Sequence, residues 1–117
     1  WSSDVCSSDL RVRSVIGRFL EHSRIWYFAN GGGEAEEIYI GSADLMHRNF
    51  DRRVEVTMPV KDPEVCAYLR EVVLPAYLKD EVNAHVLNPD GTYDKVASRD
   101  SGGFDSQMFF VGKEAAV

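Results

Sequence analysis

Cysteine and long apolar runs are scarce in this sequence. It has two cysteines, Cys6 and Cys66, and no Cys-x-x-Cys spacing. A disulfide framework is therefore excluded as the basis of the fold, and a reducing, cytoplasmic setting is expected. No apolar run approaches the roughly 18 residues that a membrane-spanning helix needs, and no secretory signal is expected. What is present is a chain of 117 residues, 44% of them hydrophobic, which fits one domain, or one piece of a larger one, with a packed core.

Positive charge is also scarce, but arginine is concentrated in one part of the chain. The net charge of −6 argues against general nucleic-acid binding. Seven of the nine arginines nevertheless lie between residues 11 and 53, a stretch that contains no lysine. Arginine makes planar, multidentate contacts with phosphate. This half of the chain is therefore where an anion site is expected, the alternative being a set of ordinary solvated side chains.

The first ten residues, WSSDVCSSDL, differ in character from the rest. They contain the near-repeat SSD twice and have no helical or strand periodicity. We interpret residues 1–10 as a non-native segment derived from a sequencing adapter; the alternative is a genuine flexible terminus. The domain is then expected to comprise residues 11–117 and to begin abruptly, inside a folded element.

Periodicity and turn signals predict the elements of the first half. Apolar residues at helical spacing predict a helix over 14–22, in which Gly17 weakens the helix or marks a close contact. The aromatic run 24–29, the turn Asn-Gly-Gly-Gly at 30–33 and the run 38–40 predict a β-hairpin. Residues 45–49 are expected to form a helical turn or loop, and alternation predicts a strand over 53–60.

The second half begins with a helix start signal, in which Asp62 is the N-cap and Pro63 the first helical residue. Pro75 should kink or break this helix near residues 73–74, and the helix should end by Asp80. Strands are predicted at 82–87 and 92–97 around the turn 88–91, then a polar loop at 98–105, an edge strand at 107–111 and a tail at 112–117. The predicted fold class is α/β (α+β), a mixed β-sheet with packed helices.

Three groups of residues are candidates for chemistry. His22 and Arg24 stand at a junction between two elements, where a histidine can exchange a proton near neutral pH and an arginine can hold a phosphoryl oxygen. Gly41 and Ser42 end the return strand, where a glycine allows close approach and a hydroxyl beside backbone N–H groups can bind an anion. The third group is the dense polar run of residues 48–53.

The hairpin should bring the first two groups together, because one strand leaves His22 and the other returns to Gly41. If Arg24 lies opposite Ile40, then His22 and Ser42 share one edge of the sheet. If His22 and Ser42 lie together, a phosphate site is favoured over the alternatives for each taken separately. Those alternatives are a surface or cap histidine for His22 and a simple turn for Gly41 and Ser42.

This pattern resembles the histidine–lysine–aspartate motif of the phospholipase D superfamily. Arg24 stands at the position of the lysine and Asp44 near that of a later asparagine, but the aspartate of the motif is missing from the expected strand. A phospholipase D-like phosphodiesterase module is therefore an alternative function. A non-catalytic phosphate-binding domain is the other.

Longer motifs, covering nearly all of residues 11–111, resemble the C-terminal domain of bacterial polyphosphate kinase. They are GRFLEHSR (17–24), FANGG (28–32), YIGSADLMHRNFDRRVEV (39–56) and FDSQMFF (104–110), with Leu45 where the family has tryptophan. The resemblance implies two phospholipase D-like domains, of which this chain would be part of the second. It also implies reversible transfer of the terminal phosphoryl group between ATP and a polyphosphate chain.

The resemblance further implies roles for individual residues. His22 matches the family's second active-site histidine, which lies by the nucleotide phosphates as a general acid or a stabiliser of the transferring group. The histidine that becomes phosphorylated, the nucleotide-stacking tyrosine and the Mg²⁺ ligands are expected upstream, so no metal ligand is assigned here. The residues expected to bind phosphate or nucleotide are His22, Arg24, Ser42, Asp44, Arg48, Asn49, Arg52 and Arg53.

The ligands implied are ATP, ADP and inorganic polyphosphate, with Mg²⁺ as cofactor. The upstream domains of the same polypeptide are implied as partners, so this chain alone is expected to be inactive. The full-length protein is expected to be a homo-oligomer of the cytoplasm, peripheral at the inner membrane, that does not bind nucleic acid.

Overall fold

A computed structural model describes residues 10–44, 46–96 and 102–114. The expected class is confirmed, because these residues form short β-strands interspersed with helices. The strands are β1 (Arg13–Val15), β2 (Ile25–Phe28), β3 (Glu37–Gly41), β4 (Thr57–Pro59), β5 (Ala84–Leu87) and β6 (Tyr93–Lys95). The helices are α1 (His47–Arg52), α2 (Pro63–Tyr68), α3 (Leu74–Lys79) and α4 (Ser106–Glu114). The interpretation of residues 1–10 concerns a segment that, apart from Leu10, lies outside the described residues.

The strands pair into two three-stranded sheets, and every pair within the described ranges is antiparallel, whereas the sequence predicted one mixed sheet. The chain divides into two compact units. The hairpin unit is Glu21–Val73 and contains the sheet β2-β3-β4. The terminal unit is formed by the described residues up to Leu20 and from Leu74 onward, and contains the sheet β1-β5-β6.

The β2-β3 hairpin is confirmed, and its turn explains the glycine run. Asn30 and the three glycines that follow all have positive φ, from 47° to 89°, a region that glycine enters without the penalty a side chain imposes. A single 3₁₀ turn, Gly33–Ala35, then leads into β3. The return strand places Ile38, which is 4% exposed, in the core of the hairpin unit.

Helix α2 begins as predicted. The carboxylate of Asp62 accepts hydrogen bonds from the backbone N–H groups of Glu64 (2.9 Å) and Val65 (3.0 Å), with Pro63 at the first helical position. The chain then forms a π-helical segment, Leu69–Val73, directly before α3. Because Pro75 lacks an N–H donor and its ring crowds the preceding turn, regular i→i−4 bonding fails close to the predicted break. Helix α3 ends at Lys79, before Asp80.

The helix predicted over residues 14–22 is wrong. Residues 13–15 form β1, which pairs with β5, and the N–H of Ile16 donates to the carbonyl of Asn83 at 3.0 Å. The backbone of Phe19 bonds to the amide of Gln107, both to Oε1 (3.0 Å) and from Nε2 (2.8 Å). Of the two alternatives at Gly17, the close contact is confirmed, because a side chain there would collide with Gln107. Long-range bonds have overridden helical spacing.

The edge strand predicted at residues 107–111 is also wrong, because this stretch lies in α4, which also takes up the first residues of the predicted tail. The carboxylate of Asp105 accepts from the N–H of Met108 (3.0 Å), as a helix cap does. The ring of Phe110 packs on Tyr77 and on Phe109, with centroids 5.3 and 5.2 Å apart. The other part of the predicted tail, 115–117, and the first half of the predicted loop, 98–101, lie outside the described residues.

The late hairpin is confirmed. Strands β5 and β6 pair from His85↔Lys95 to Leu87↔Tyr93, and the turn closes with the N–H of Gly91 donating to Asn88 at 3.0 Å. Among the helices that the structure describes, none is long and apolar enough to cross a bilayer.

Candidate functional site

The candidate site lies at the end of the hairpin where β2 begins and β3 finishes. Ile25 pairs with Ile40, and the N–H of Gly41 donates to the carbonyl of Arg24 at 3.2 Å. Arg24 therefore faces Gly41 rather than Ile40, so the predicted register is off by one residue. The expected consequence still holds, because the segments containing His22 and Ser42 meet at this edge.

An ion pair between Arg24 and Asp44 is the centre of the site. Arg24 Nε donates to Asp44 Oδ1 at 2.7 Å, and Nη2 lies 3.4 Å from Oδ2. The third nitrogen, Nη1, donates to the backbone carbonyl of His22 at 3.0 Å. Since the side chains are only 26% and 42% exposed, the pair is partly shielded from competing water. It ties the start of β2 to the loop after β3.

Further arginines surround this pair. The hydrogen bonds from Arg24 hold the pKa of Asp44 below its usual range; burial opposes the shift, and the charges of Arg24, Arg48 and Arg53 reinforce it. Two of the predicted phosphate ligands, Arg48 and Arg53, are thus close enough to Asp44 to act on it electrostatically. Arg52 is exposed at the end of α1, one helical turn after Arg48 and on the same side of the helix.

Asn49 is buried, at 5% exposure, although it was predicted to contact ligand. Its Nδ2 donates to the backbone carbonyl of Asp44 at 2.9 Å. The Oδ1 atom has no hydrogen-bond partner among the residues that the structure describes. In the structure, Asn49 therefore bonds to the loop after β3 that carries Asp44.

Ser42 is held by the neighbouring chain segment. Its hydroxyl donates to a carboxylate oxygen of Glu55 and accepts from the N–H of Val56 at 3.1 Å. Gly41 is packed closely, since a Cβ there would lie 2.9 Å from the carbonyl oxygen of Val56 and equally near the ring of Trp26. The expected close approach at Gly41 is thus present, but its partners are the protein's own backbone and side chains.

The imidazole of His22 is available to a ligand. The residue is exposed, and within the described part of the chain its ring makes no hydrogen bond or ion pair. Its backbone is held by Arg24, so a fixed main chain presents a free ring.

Among the cavities that the described residues form, two in the hairpin unit differ in the residues that line them. A cavity of about 460 Å³ opens beside the ion pair and includes Arg24, Ser42 and Leu69 in its wall. Another, of about 510 Å³, is lined in part by the aromatic rings of Trp26, Phe28 and Tyr39, with Glu37 as its charged group. A polyanion is better matched by the first, because the second presents a carboxylate and no basic side chain.

Comparison with known proteins identifies the family. The model of polyphosphate kinase C-terminal domain 2 matches residues 2–107. The chain belongs to the polyphosphate kinase family. It is 52% identical over 93 residues to polyphosphate kinase of Prosthecochloris aestuarii, covering 80% of this chain and 13% of the relative. The corresponding enzyme of Synechocystis is 56% identical over 87 residues, covering 74% of this chain and 12% of the relative.

A solved structure agrees with the family membership and the fold. The crystal structure of polyphosphate kinase from Porphyromonas gingivalis matches with a TM-score of 0.76 and 32% identity, over 95% of this chain and 17% of that one. This chain spans about one eighth of the length of the curated relatives, at 12–13%. The activity of a whole polyphosphate kinase is therefore a proposal for it.

Sequence reasoning missed one residue of the site. Glu55 accepts from Ser42, and its negative charge acts on Arg24. Its position as a polar residue between Val54 and Val56 was the available signal, but β4 begins only at Thr57 and the preceding residues form a connection. Across the described ranges, no group of three or more His, Cys, Asp or Glu side chains could hold a metal ion.

Proposed function

We propose that this chain forms one wall of a polyphosphate kinase active site, which transfers the terminal phosphoryl group reversibly between ATP and polyphosphate. The observation that carries the proposal is the exposed His22 beside the Arg24–Asp44 pair, with Arg48 and Arg53 close to it. Phosphoryl transfer depends mainly on positioning and on positive charge around the moving group. A histidine with a free ring, whose backbone is bonded to Arg24 and near whose ion pair further arginines lie, suits both needs.

The proposed roles follow from whether each side chain already has a bonding partner among the described residues or is left to bind a ligand. Arg48, Arg52 and Arg53 attract and hold phosphate oxygens. His22 donates a proton or a hydrogen bond to the transferring group. Ser42 and Asp44 shape the loop around the ligand. The group that carries the phosphoryl intermediate is proposed to be a histidine outside this chain, so the chain alone should not turn over ATP.

The remaining expectations stand as part of the same proposal. Mg²⁺ would be held by residues outside this chain and would neutralise phosphate charge. The upstream domains of the same polypeptide, a two-domain phospholipase D-like arrangement and a homo-oligomer in the cytoplasm, peripheral at the inner membrane, are further predictions.

A chimeric enzyme tests the function directly. In this enzyme, called the graft, the present chain replaces the matching segment of the Synechocystis relative, where 87 residues align. We expect the graft to make polyphosphate from ATP, while the relative with that segment deleted makes none. A graft that folds but produces no polyphosphate, or that instead hydrolyses a phosphodiester, would contradict the proposal.

The arginines proposed to hold phosphate, Arg48, Arg52 and Arg53, are called the arginine wall, and they give a second test. Arg48→Ala combined with Arg53→Ala should raise the KM for polyphosphate about tenfold to a hundredfold, because each charged hydrogen bond to phosphate contributes binding free energy. The matched control is Lys79→Ala with Lys95→Ala, which removes the same charge from exposed positions of the terminal unit. Equal effects of the two double variants would show that net charge alone, and not this wall, governs binding.

A further inference from the structure

The guanidinium of Arg24 uses all three of its nitrogen atoms within the protein. Nε and Nη2 face the two carboxylate oxygens of Asp44, and Nη1 donates to the carbonyl of His22. This fork-to-fork geometry is specific to arginine, since lysine presents a single point charge. The positive charge of Arg24 is largely compensated by Asp44. By contrast, neither Arg48 nor Arg53 forms an ion pair among the described residues.

The backbone of Asp44 is itself held by hydrogen bonds. Its backbone carbonyl accepts from the N–H of Met46 at 2.8 Å and from Nδ2 of Asn49 at 2.9 Å. Asn49 is 5% exposed, so this second bond is shielded from water. The start of α1 therefore holds the loop that carries the carboxylate.

The contacts form one continuous chain of hydrogen bonds, from Asn49 to Asp44, from Asp44 to Arg24, and from Arg24 to the backbone of His22. We infer that Asn49, Asp44 and Arg24 are positioning residues that fix the main chain at His22, and that Arg24 is not primarily a phosphate ligand. The inference rests on the proposed function and deepens it. It divides the arginines into two groups. The charge of Arg24 is compensated by Asp44, and this arginine orients His22. The charges of Arg48 and Arg53 are not compensated by an ion pair within the described residues, and these arginines attract the polyanion.

The two roles of Arg24 predict opposite kinetics for Asp44→Asn. This change preserves shape and removes the carboxylate charge. If Arg24 positions His22, the graft carrying Asp44→Asn should lose kcat about tenfold to a hundredfold, because a small misplacement of a reacting group is that costly. Its KM for ATP and for polyphosphate should stay within about twofold. If Arg24 is a phosphate ligand, releasing it should lower KM and spare kcat.

Arg24→Lys supplies the complementary test, since it keeps the charge and loses the fork. We expect it to lose kcat as severely as Asp44→Asn, with Asn49→Ala showing a smaller loss of the same kind. The matched control is Glu36→Gln, which breaks another arginine–carboxylate pair of the hairpin unit, Arg70–Glu36 at 2.8 Å. Because Glu36→Gln leaves the Arg24 chain intact, its kcat should be unchanged. A lysine variant with near-normal kcat and a raised KM would overturn the inference.

A spectroscopic measurement keeps the two proposals separable. The ε1 proton of the His22 ring should shift or broaden in Asp44→Asn and stay unchanged in Glu36→Gln, whether or not the protein makes polyphosphate. An inactive parent graft would defeat the proposed function alone. An active parent in which Asp44→Asn alters neither kcat nor the His22 signal would defeat the positioning role alone.

Discussion

Replacing His22 by alanine in the graft is expected to lower kcat about 100- to 10,000-fold, the range over which general acid–base groups contribute. The ring is exposed and free within the described residues, while the backbone beneath it is held by Arg24 at 3.0 Å. The substitution removes the ring and leaves that backbone bond possible. The KM for polyphosphate should change little, because the uncompensated arginines remain.

His47→Ala is the matched control for this loss. The side chain of His47 is fully solvated, and among the described residues its one charged neighbour within 4 Å is Asp51, 3.8 Å away on the same helix. We expect near-normal polyphosphate synthesis from this variant. Comparable losses from both histidine substitutions would show that His22 has no particular role, and near-normal synthesis by His22→Ala would exclude it from the chemistry.

Replacing Asp80 by alanine should have the largest effect on stability, lowering the free energy of unfolding by about 3 to 4 kcal/mol, because several buried donors would lose their acceptor. The side chain is fully buried and accepts from the N–H of Asn83 (2.7 Å) and from the N–H and hydroxyl of Ser106 (2.8 and 2.7 Å). These bonds tie the end of α3 to β5 and to the start of α4. Denaturant titration of the terminal unit's fluorescence or helicity measures the loss.

The control for Asp80 is Asp94→Ala, on the exposed strand β6, which should cost much less. Burial raises the pKa of Asp80, but the hydrogen bonds from Ser106, Asn83 and Ala84 outweigh it and hold the pKa below its usual value. With a pKa lower in the folded than in the unfolded state, Asp80 stabilises above about pH 4 and loses that contribution as pH falls further. The acid-dependent part of stability should therefore shrink in Asp80→Ala. Equal unfolding free energies for the two aspartate variants would contradict this account.

The sequence correctly predicted those elements whose formation depends on residue types within a few positions of each other. A run of positive-φ residues demands glycine, so the 30–33 turn and its hairpin were readable from residue types. The start of α2 was readable for a similar reason, since Asp62 and Pro63 satisfy or replace the first unpaired N–H groups of a helix. In both cases the cause and its effect lie within a few residues of each other.

The two wrong elements were decided by distant partners. Residues 14–22 have helical spacing, but residues 13–15 pair with strand β5, Ile16 bonds to Asn83 and Phe19 bonds to Gln107, all more than 60 residues away. The apolar run 107–111 is short enough to suit a strand or a helix, and the capping by Asp105 together with aromatic packing on Tyr77 selects the helix. Hydrophobic periodicity is evaluated over a short stretch of sequence, and these distant partners lie outside that stretch.

The features of the candidate site also fall into those that local sequence predicts and those that distant packing decides. From the sequence alone came the family resemblance, the choice of His22 with its arginines, and the meeting of His22 with Ser42, because turn chemistry and strand pairing are local. Only the tertiary structure decided that Arg24 faces Gly41, that Asn49 is buried under the Asp44 loop, and that Ser42 bonds to Glu55. Residue type determines which bonds a side chain can form, but the partner that is within reach depends on how segments distant in sequence pack.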